Sequence, residues 1–493
     1  MLLYKKNSSF PFNDLRQFIH RLEQEGELQR IEDEVQPVLE VGAIIRRAND
    51  LRAPAPFFVN LRGYPGNRIL GAPLGLSRDK KRAFARFAIS LGMRPESTAL
   101  ELTEEYIRRS AKTLKPVMVK DGPCKENIWV GDEIDLQAIP APVLHRGDGA
   151  PYLGTWHTNI TKDPESGERH WGLSRLMLHH QKTMGGPFLP EQNIGAQYYA
   201  NYESRGRPME FAVAIGTEPV TPTVAGAPRR LNASQAGIVG AIRGAPLELV
   251  KCETVDLEVP ATAEIVIEGY VPPRERREDG PFGEHGTFMA SARTLRPVYH
   301  VTAITHRNDP ILPVAVDDLA VSLCVTQAAN VLSETRRYGF PVRSVYCPPE
   351  ALSQWTVVST KALPYPGFAR HLAQTVWKSG FGYAGRYDVI VEETIDPTDM
   401  GQVLRAISTM CHPKSGLIKI QNVPNHLPLS FRSPKKKASD TGDYAFFDCT
   451  GPRGSHKETS PLKAPFDPTC PEDIQEKVIR NWRSYGYQEE GPD

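Results

Sequence analysis

The chain has 493 residues, of which 40% are hydrophobic and 24% charged, so its composition excludes a wholly disordered protein. Lys and Arg number 59 against 58 Asp and Glu, and the net charge of +1 gives no overall field that would draw the protein to nucleic acid or anionic lipid. The seven cysteines form no C-x-x-C pair, which argues against a disulfide framework or a structural zinc module.

The N-terminal part predicts a small α/β domain over residues 1–120. Its start lacks the apolar core of a signal peptide, and no run of about 18 apolar residues occurs, so we expect a cytoplasmic protein without membrane spans. Asn13 is predicted to cap a first helix that Gly26 ends. A buried stripe with helical spacing follows that cap, at Leu15, Phe18, Ile19 and Leu22.

The middle of the chain, residues 121–320, predicts a second domain built from short strands. Gly and Pro bound apolar stretches of about five to eight residues, which is typical of a barrel or sandwich. The predicted strands are residues 127–130, 152–160, 210–215 and 264–271.

The last part, residues 321–493, predicts an α/β layer in which helices and strands alternate. The predicted helices are residues 322–337, 367–378 and 399–408, and the predicted strands are 343–347, 355–359, 389–391 and 417–420. Residues 471–485 predict a helix that packs on a neighbour, such as a second subunit. The basic run at residues 433–437 is interpreted as a solvated loop.

One segment, Asp279-Gly-Pro-Phe-Gly-Glu284-His-Gly, combines two carboxylates with an irregular backbone. Four of its eight residues are Gly or Pro, and a tight turn of this kind can direct both acidic side chains into one cavity. Paired carboxylates in one cleft can act as general acid and base. The alternative interpretation is a solvated loop rich in turn-forming residues.

A second segment surrounds an arginine. Alternation across Trp171, Leu173 and Arg175 predicts a strand that buries the guanidinium among apolar residues. A buried Arg needs an anion, which can be a protein carboxylate, a phosphate or a substrate carboxylate. The residues around Gln192 and Asn193 form a third segment, interpreted as a plain turn or as a loop that donates hydrogen bonds to a polar ligand.

In their joint order, these segments resemble the UbiD family of prenylated-FMN-dependent decarboxylases, and most closely its branch acting on hydroxyaryl acids. The resemblance runs over essentially the whole chain. It rests on the segments at residues 171–175, 190–193, 249–252, 259–262, 264–266, 280–284, 359–361 and 365–370.

The resemblance implies a mixed α/β (α+β) protein with a central split β-barrel that binds flavin. An N-terminal α/β unit would precede the barrel and a C-terminal oligomerisation domain would follow it. The implied cofactor is prenylated FMN, made by a partner flavin prenyltransferase, with Mn²⁺ and K⁺ at its phosphate. The implied assembly is a homodimer or a higher homo-oligomer.

The family's functional residues carry over to named positions of this chain. The catalytic arginine falls on Arg175, the proton-donating glutamate on Glu284 and the second catalytic acid on Asp279. The implied flavin contacts are Thr155, His170, Trp171, Gly172, Leu173, Ser174, Arg175, Gln192 and Asn193, with Arg386 near the phosphate.

The implied metal positions depart from the family pattern. The family binds its divalent ion through Asn, His and Glu, whereas the matching residues here are His170, Asn193 and Gln235. Gln235 removes a formal negative charge, and hard cations favour anionic oxygen ligands. The potassium-lining positions become Val224, Ala225 and Ala227.

The implied function is the non-oxidative, reversible decarboxylation of an aromatic or α,β-unsaturated carboxylic acid. No side chain can delocalise the electron pair that departing CO₂ leaves behind, so a cofactor must act as the electron sink. Arg175 would hold the carboxylate and Glu284 would donate the proton. The alternative function is a non-catalytic assembly or regulatory homologue that still binds the cofactor.

Overall fold

The computed structural model describes residues 10–190, 193–228, 233–283, 293–352, 354–361, 365–379, 385–424, 441–450 and 470–487. Helices and strands alternate at both ends of the chain, and strands dominate its middle, as the sequence predicts. The helices are α1 (Leu15–Gln24), α2 (Glu40–Asp50), α3 (Ala85–Ser90), α4 (Ala99–Ser110), α5 (Asn193–Gln197), α6 (Val220–Gly226), α7 (Gln235–Arg243), α8 (Leu319–Arg337), α9 (Phe368–Lys378), α10 (Met400–Met410) and α11 (Glu472–Asn481).

The strands of the N-terminal and central parts are β1 (Leu28–Ile31), β2 (Ala55–Phe58), β3 (Arg68–Gly71), β4 (Val117–Met118), β5 (Asn127–Val130), β6 (Tyr152–Gly154), β7 (His157–Lys162), β8 (Arg169–Gly172), β9 (Leu176–His180), β10 (Thr183–Gly185), β11 (Met209–Ile215), β12 (Glu248–Lys251), β13 (Glu258–Pro260), β14 (Ile265–Val271), β15 (Arg276–Asp279), β16 (Thr294–His306) and β17 (Ile311–Val314). Those of the C-terminal part are β18 (Val342–Tyr346), β19 (Trp355–Thr360), β20 (Tyr387–Glu392), β21 (Leu417–Pro424) and β22 (Thr441–Cys449).

The first helix shows how local chemistry sets the boundaries. Asp14, and not Asn13 as the sequence analysis predicts, caps α1, because its side chain accepts a hydrogen bond from the backbone of Gln17. Gly26 follows the helix with a φ of +72°, a conformation that favours glycine. The predicted stripe is buried.

The N-terminal sheet has the strand order β1-β2-β3-β17, and β17 runs parallel to β3. Because β17 follows the whole central region in sequence, the chain returns to its first sheet before it enters the C-terminal part. The N-terminal and central regions therefore share one strand layer.

The central sheet is a curled half-barrel with the order β6-β9-β10-β16-β14-β11-β7-β8, and β5 and β15 pair with β16. Its pairings are antiparallel. Helices α5, α6 and α7 follow β10 and β11 in the chain, and α6 packs on β7 and β8. This arrangement confirms the predicted split barrel.

The C-terminal sheet has the order β18-β19-β20-β22-β21 and is mixed, since the β19–β20 and β20–β22 pairs are parallel. Helices α8 and α9 pack on one side and α10 on the other. Helix α11 buries none of its residues, so its predicted packing on a second subunit stays a prediction. The basic run at 433–437 lies outside the described residues.

None of the helices in the described ranges combines the length and the hydropathy needed to cross a lipid bilayer.

Candidate active site

An ion pair joins two segments that lie far apart in the chain. Arg175 lies in the connection between β8 and β9, and Asp279 is the last residue of β15. Nη2 of Arg175 donates a hydrogen bond to Oδ1 of Asp279 at 2.6 Å. The Asp279 side chain is fully buried, whereas 15% of the Arg175 side chain is exposed. The anion that a buried arginine requires is therefore a protein carboxylate, and the arginine side chain as a whole stays partly exposed.

The structure corrects the predicted strand over residues 171–175. Strand β8 ends at Gly172, and residues 173–175 form an irregular, partly exposed connection to β9. Strand β8 pairs with β7 at one end of the sheet, whereas β9 pairs with β6 and β10 at the other. The chain must cross between these two ends, so strand pairing cannot continue through Leu173 and Ser174.

An aromatic ring lies next to the guanidinium. The Cζ atom of Arg175 is 5.7 Å from the centre of the Phe282 ring, within the range of a cation–π contact. Phe282 itself packs against Tyr152, with ring centres 4.3 Å apart. Phe282, in the segment that follows Asp279, therefore makes a second contact with Arg175 in addition to the ion pair.

Several predicted flavin contacts lie around this connection. His170 and Trp171 are buried on β8. A Cβ atom added to Gly172 would lie 2.9 Å from the end of the Ile194 side chain, so α5 packs closely on β8 at this glycine. The hydroxyl of Thr155 accepts a hydrogen bond from the backbone of Ala315 at 3.0 Å.

The structure describes only some of the remaining predicted site residues, and the others lie outside the described ranges. Glu284 and Gln192 are outside them, and of Asn193 only the backbone is described, at the start of α5. Arg386 is buried just before β20, where its backbone N–H donates to the carbonyl of Gln354 at 2.8 Å. Its assignment to a flavin phosphate stays a prediction.

Sequence reasoning did not identify the polar residues of β7. The side-chain amide of Asn159 donates to Nε2 of His157 and to the carbonyl of Ser174, both at 3.1 Å. Burial lowers the pKa of His157 to about 4, so the ring is neutral near pH 7. His157 and Asn159 are two residues apart in the chain and therefore share one face of β7. The period-2 alternation of a strand predicts this shared face from the sequence.

The polar atoms near the connection at residues 173–175 suit a polar cofactor. Among the described residues there, Oδ2 of Asp279 and Oδ1 of Asn159 are buried without a hydrogen-bond partner. Buried polar atoms of this kind usually have a partner in the functional state. Together with the accessible connection at residues 173–175, they fit a flavin with polar ring edges.

The described residues do not fit a divalent metal ion. The side chain of Gln235 accepts a hydrogen bond from the backbone N–H of Trp171 at 2.7 Å and donates to the carbonyl of the same residue at 2.6 Å. Both ends of its amide are therefore occupied, and the three predicted ligands carry no negative charge. No group of three or more His, Cys, Asp or Glu side chains suited to a metal occurs in the described parts of the chain.

The potassium-lining positions also lack side-chain ligands. Val224 and Ala225 lie in α6 and Ala227 follows its end, and none of these side chains carries an oxygen atom. The predicted Mn²⁺ and K⁺ sites stay predictions.

The fold is that of an α/β protein in which a curled half-barrel lies between two α/β units. Its partly exposed Arg175, held by the buried Asp279, is suited to recognising an anion. Three sequence profiles of 3-octaprenyl-4-hydroxybenzoate carboxy-lyase match the chain: the N-terminal domain over residues 19–106, the Rift-related domain over 115–318 and the C-terminal domain over 321–449. The chain therefore belongs to the UbiD family of prenylated-FMN-dependent decarboxylases.

Characterised relatives match over nearly their full length. The pyrrole-2-carboxylic acid decarboxylase of Pseudomonas aeruginosa is 33% identical, covering 96% of this chain and 98% of the relative. Ferulic acid decarboxylase 1 of Saccharomyces cerevisiae is 30% identical, covering 97% and 99%.

Solved structures show the same fold. The closed form of vanillic acid decarboxylase from Sedimentibacter hydroxybenzoicus superposes with a TM-score of 0.84 at 28% identity, covering 96% of this chain and 99% of that one. An evolved dimeric form of the UbiD-class enzyme HmfF from Pelotomaculum thermopropionicum, solved in complex with prFMN, gives 0.76 at 27% identity, covering 94% and 100%.

Proposed function

We propose that this protein catalyses the non-oxidative decarboxylation of an aromatic or α,β-unsaturated carboxylic acid, with Arg175 and Glu284 as catalytic residues. The observation that carries the proposal is the buried Arg175–Asp279 pair at the start of the segment that leads to Glu284. Because a catalyst accelerates both directions, the same site would carboxylate the product at high CO₂.

Arg175 binds the substrate carboxylate in this proposal. Asp279 holds one side of the guanidinium, so the charge is oriented before the substrate arrives. A preorganised cation in a partly desolvated site stabilises an anion more strongly than a mobile one in water. The Arg175 side chain is 15% exposed, whereas its partner Asp279 is fully buried, so a substrate would approach from the arginine side of the pair.

Glu284 donates the proton that replaces the carboxyl group. It follows Gly283 directly, and Asp279 lies five residues before it. A carboxylic acid that is protonated in the enzyme–substrate complex can act as the general acid. Asp279 acts as the partner of Arg175.

The cofactor in this proposal is prenylated FMN, supplied by a flavin prenyltransferase. When bound, it supplies the electron sink that decarboxylation requires. The residues that would hold it are those of β8, the connection at residues 173–175, Thr155 and the start of α5. The assembly proposed is a homodimer or a higher homo-oligomer.

The test uses protein co-expressed with a flavin prenyltransferase and three acids: pyrrole-2-carboxylate, ferulate and vanillate. We expect CO₂ release from at least one of them. Arg175→Gln should lower kcat/KM by about 10²–10³-fold because the oriented cation is lost. Glu284→Gln should lower kcat by about 10²–10⁴-fold because the general acid is lost.

The matched control is Arg276→Gln, which removes another arginine of the same sheet region. Arg276 is ion-paired to Glu203 at 2.6 Å and takes no part in the proposed chemistry, so kcat should stay near the wild-type value. Decarboxylation by Glu284→Gln at the wild-type rate would contradict the proposal. Flavin binding without turnover of any acid would favour the non-catalytic alternative.

A further inference from the structure

Two cysteines that are distant in the chain lie side by side in the C-terminal part. Cys449 is the last residue of β22 and is fully buried, whereas Cys411 directly follows α10 and is partly exposed. The thiol of Cys449 donates a hydrogen bond to Sγ of Cys411. Neither residue takes part in the proposed decarboxylation.

Backbone contacts hold the two cysteines in this position. The N–H of Asp448 donates to the carbonyl of Gly416 at 2.8 Å, and the N–H of Gly416 donates to the carbonyl of His412 at 2.7 Å. A Cβ atom added to Gly416 would lie 3.1 Å from Sγ of Cys411. Gly416 therefore lies against the sulfur of Cys411 and is bonded to the residue that precedes Cys449.

The helix and the strand that carry the cysteines pack on one small apolar core. Cys449 pairs with Val391 of β20 and is part of this core. Helix α10 buries Val403 and Ala406 in the same core, and Cys411 packs against it. Because this packing fixes the end of the helix and the end of the strand, folding already meets the entropic cost of bringing the two sulfurs together.

A second pair of cysteines differs in what its thiols contact. Cys124 and Cys252 lie close enough for their charges to interact, but the thiol of Cys252 donates a hydrogen bond to the carboxylate of Glu268. That carboxylate also accepts hydrogen bonds from the backbone of Glu253 and Thr254. The Cys252 thiol is therefore directed to an oxygen atom, so this pair is an internal comparison for the first one.

We propose that Cys411 and Cys449 form a dithiol site that hydrogen peroxide oxidises to a disulfide. The thiolate of Cys411 attacks one peroxide oxygen, the O–O bond breaks, and the departing hydroxide takes up a proton to form water. Cys411 is then a sulfenic acid. The thiolate of Cys449 attacks its sulfur, the S–O bond breaks and a second water leaves. The two sulfurs lose two electrons, the peroxide gains them, and both thiol protons end in water.

The surroundings of the two thiols set the order of these steps. Cys411 is partly exposed and can meet the peroxide, whereas Cys449 is buried behind it. Burial raises the pKa of both thiols, but the hydrogen bond from Cys449 favours the thiolate of Cys411 and disfavours that of Cys449. Cys411 is therefore the residue that reacts first, and Cys449 is the one that resolves the sulfenic acid.

The test treats the reduced full-length protein with hydrogen peroxide at about pH 8.5, where half of an ordinary thiol is ionised. Peptide mapping by mass spectrometry should find a pair of peptides linked through Cys411 and Cys449, which has lost two hydrogen atoms and which dithiothreitol separates again. After denaturation, the number of titratable thiols should fall by two from the original seven. Cys124 and Cys252 should stay reduced.

The variant Cys449→Ser removes the resolving thiol. Oxidised Cys411 should then persist as a sulfenic acid that dimedone traps, without a linked peptide pair. The matched control is Cys470→Ser, which removes another partly exposed cysteine and should leave the link unchanged. If Cys449→Ser does not fold, Cys411→Ser changes the partly exposed partner instead and should also abolish the link.

The link should also stabilise the C-terminal part. Oxidation should raise the midpoint of thermal unfolding of the wild type by about 2–8 °C, because the disulfide restricts the unfolded chain. The same treatment should give no such rise in Cys449→Ser. Dithiothreitol should return the wild-type midpoint to its original value.

Three results would overturn the inference. They are a link between Cys124 and Cys252 in equal or higher yield, oxidation of Cys411 to a sulfinic acid in the wild type without a link to Cys449, and recovery of both thiols unmodified. None of these measurements uses turnover of an acid. The inference therefore stands or falls independently of the proposed decarboxylase function.

Discussion

Gln235 shows how one atom changes what a position can do. Trp171 lies on β8, the strand at the end of the half-barrel sheet. The amide of Gln235 makes hydrogen bonds to both the N–H and the carbonyl of Trp171, as the backbone of a neighbouring strand would. A carboxylate at this position could accept from the N–H group but would repel the carbonyl oxygen. The neutral side chain is therefore well suited to holding β8 and poorly suited to binding a hard cation.

Replacing Gln235 by Glu should destabilise the protein at neutral pH by about 1–3 kcal/mol, because the Trp171 carbonyl loses its donor and meets a negative charge. The loss should shrink as the pH falls. A buried carboxyl has a raised pKa, so the folded state takes up a proton at a higher pH than the unfolded state, and the protonated group can donate again. Thermal unfolding at pH 8 and pH 5 measures this difference.

Gln197→Glu is the control for this substitution. Gln197 accepts a hydrogen bond from the hydroxyl of Thr161 at 2.7 Å, which a carboxylate also accepts, so stability should change little. A pH-independent effect of Gln235→Glu would contradict the pairing with Trp171. Manganese binding to the wild-type protein, measured by electron paramagnetic resonance, would contradict the poor fit to a metal ion.

The sequence allows some of these residues to be predicted and not others. Arg175 and Asp279 were identified because each lies in a segment with a recognisable order of Gly, Pro and apolar residues. The hydrogen bond between Asp148 and the backbone of Gly283 could not be predicted, because the two residues are 135 positions apart in the chain. No local pattern contains that contact.

At the scale of elements, the positions of individual helices and strands can be predicted from the periodicity of apolar residues, because that pattern lies within a short stretch of sequence. The predicted α8, α9 and α10 agree with the structure to within a few residues. The connection at residues 173–175 does not follow from local pattern, since the alternation of Leu173 and Arg175 continues past the point where pairing stops. Only the sheet order explains why the strand ends there.

Strand β7 carries a pH-dependent contribution to stability through His157. Its folded pKa of about 4 lies below the ordinary value of 6.5 because the ring is buried. Below pH 6.5 the unfolded chain binds a proton that the folded chain does not, so stability decreases as the pH falls towards 4. The decrease from this residue should reach about 2 kcal/mol at pH 5.

His157→Gln should therefore lower the stability at pH 7.5 but flatten its dependence on pH. The thermal unfolding midpoints at pH 7.5 and pH 5 should differ less in this variant than in the wild type. His20→Gln, on the exposed face of α1, should leave the difference unchanged. Equal differences for wild type and His157→Gln would contradict the assignment.

At the scale of the whole molecule, Glu264 connects the N-terminal helix to the central sheet. Its fully buried carboxylate accepts from Nε and Nη2 of Arg16 on α1, each at 2.8 Å. It also accepts from Arg307 at 3.4 Å and from the backbone of Ile311 at 3.2 Å. Arg307 in turn is ion-paired to Asp14 at 2.9 Å. A single acid thus joins α1, the start of β14 and the start of β17.

Glu264→Gln should destabilise the protein by about 1.5–3 kcal/mol, because Arg16 loses its charge-assisted hydrogen bonds to the buried carboxylate, whereas Arg307 keeps Asp14. Glu104→Gln is the control: Glu104 also binds an arginine through two hydrogen bonds, to Arg336 at 3.0 and 2.7 Å, but both side chains are exposed. Its loss should cost about 0–1 kcal/mol. Hydrogen exchange locates the effect, since α1 should exchange faster in Glu264→Gln and not in Glu104→Gln. Equal protection of α1 in both variants would show that apolar packing alone holds this helix on the sheet.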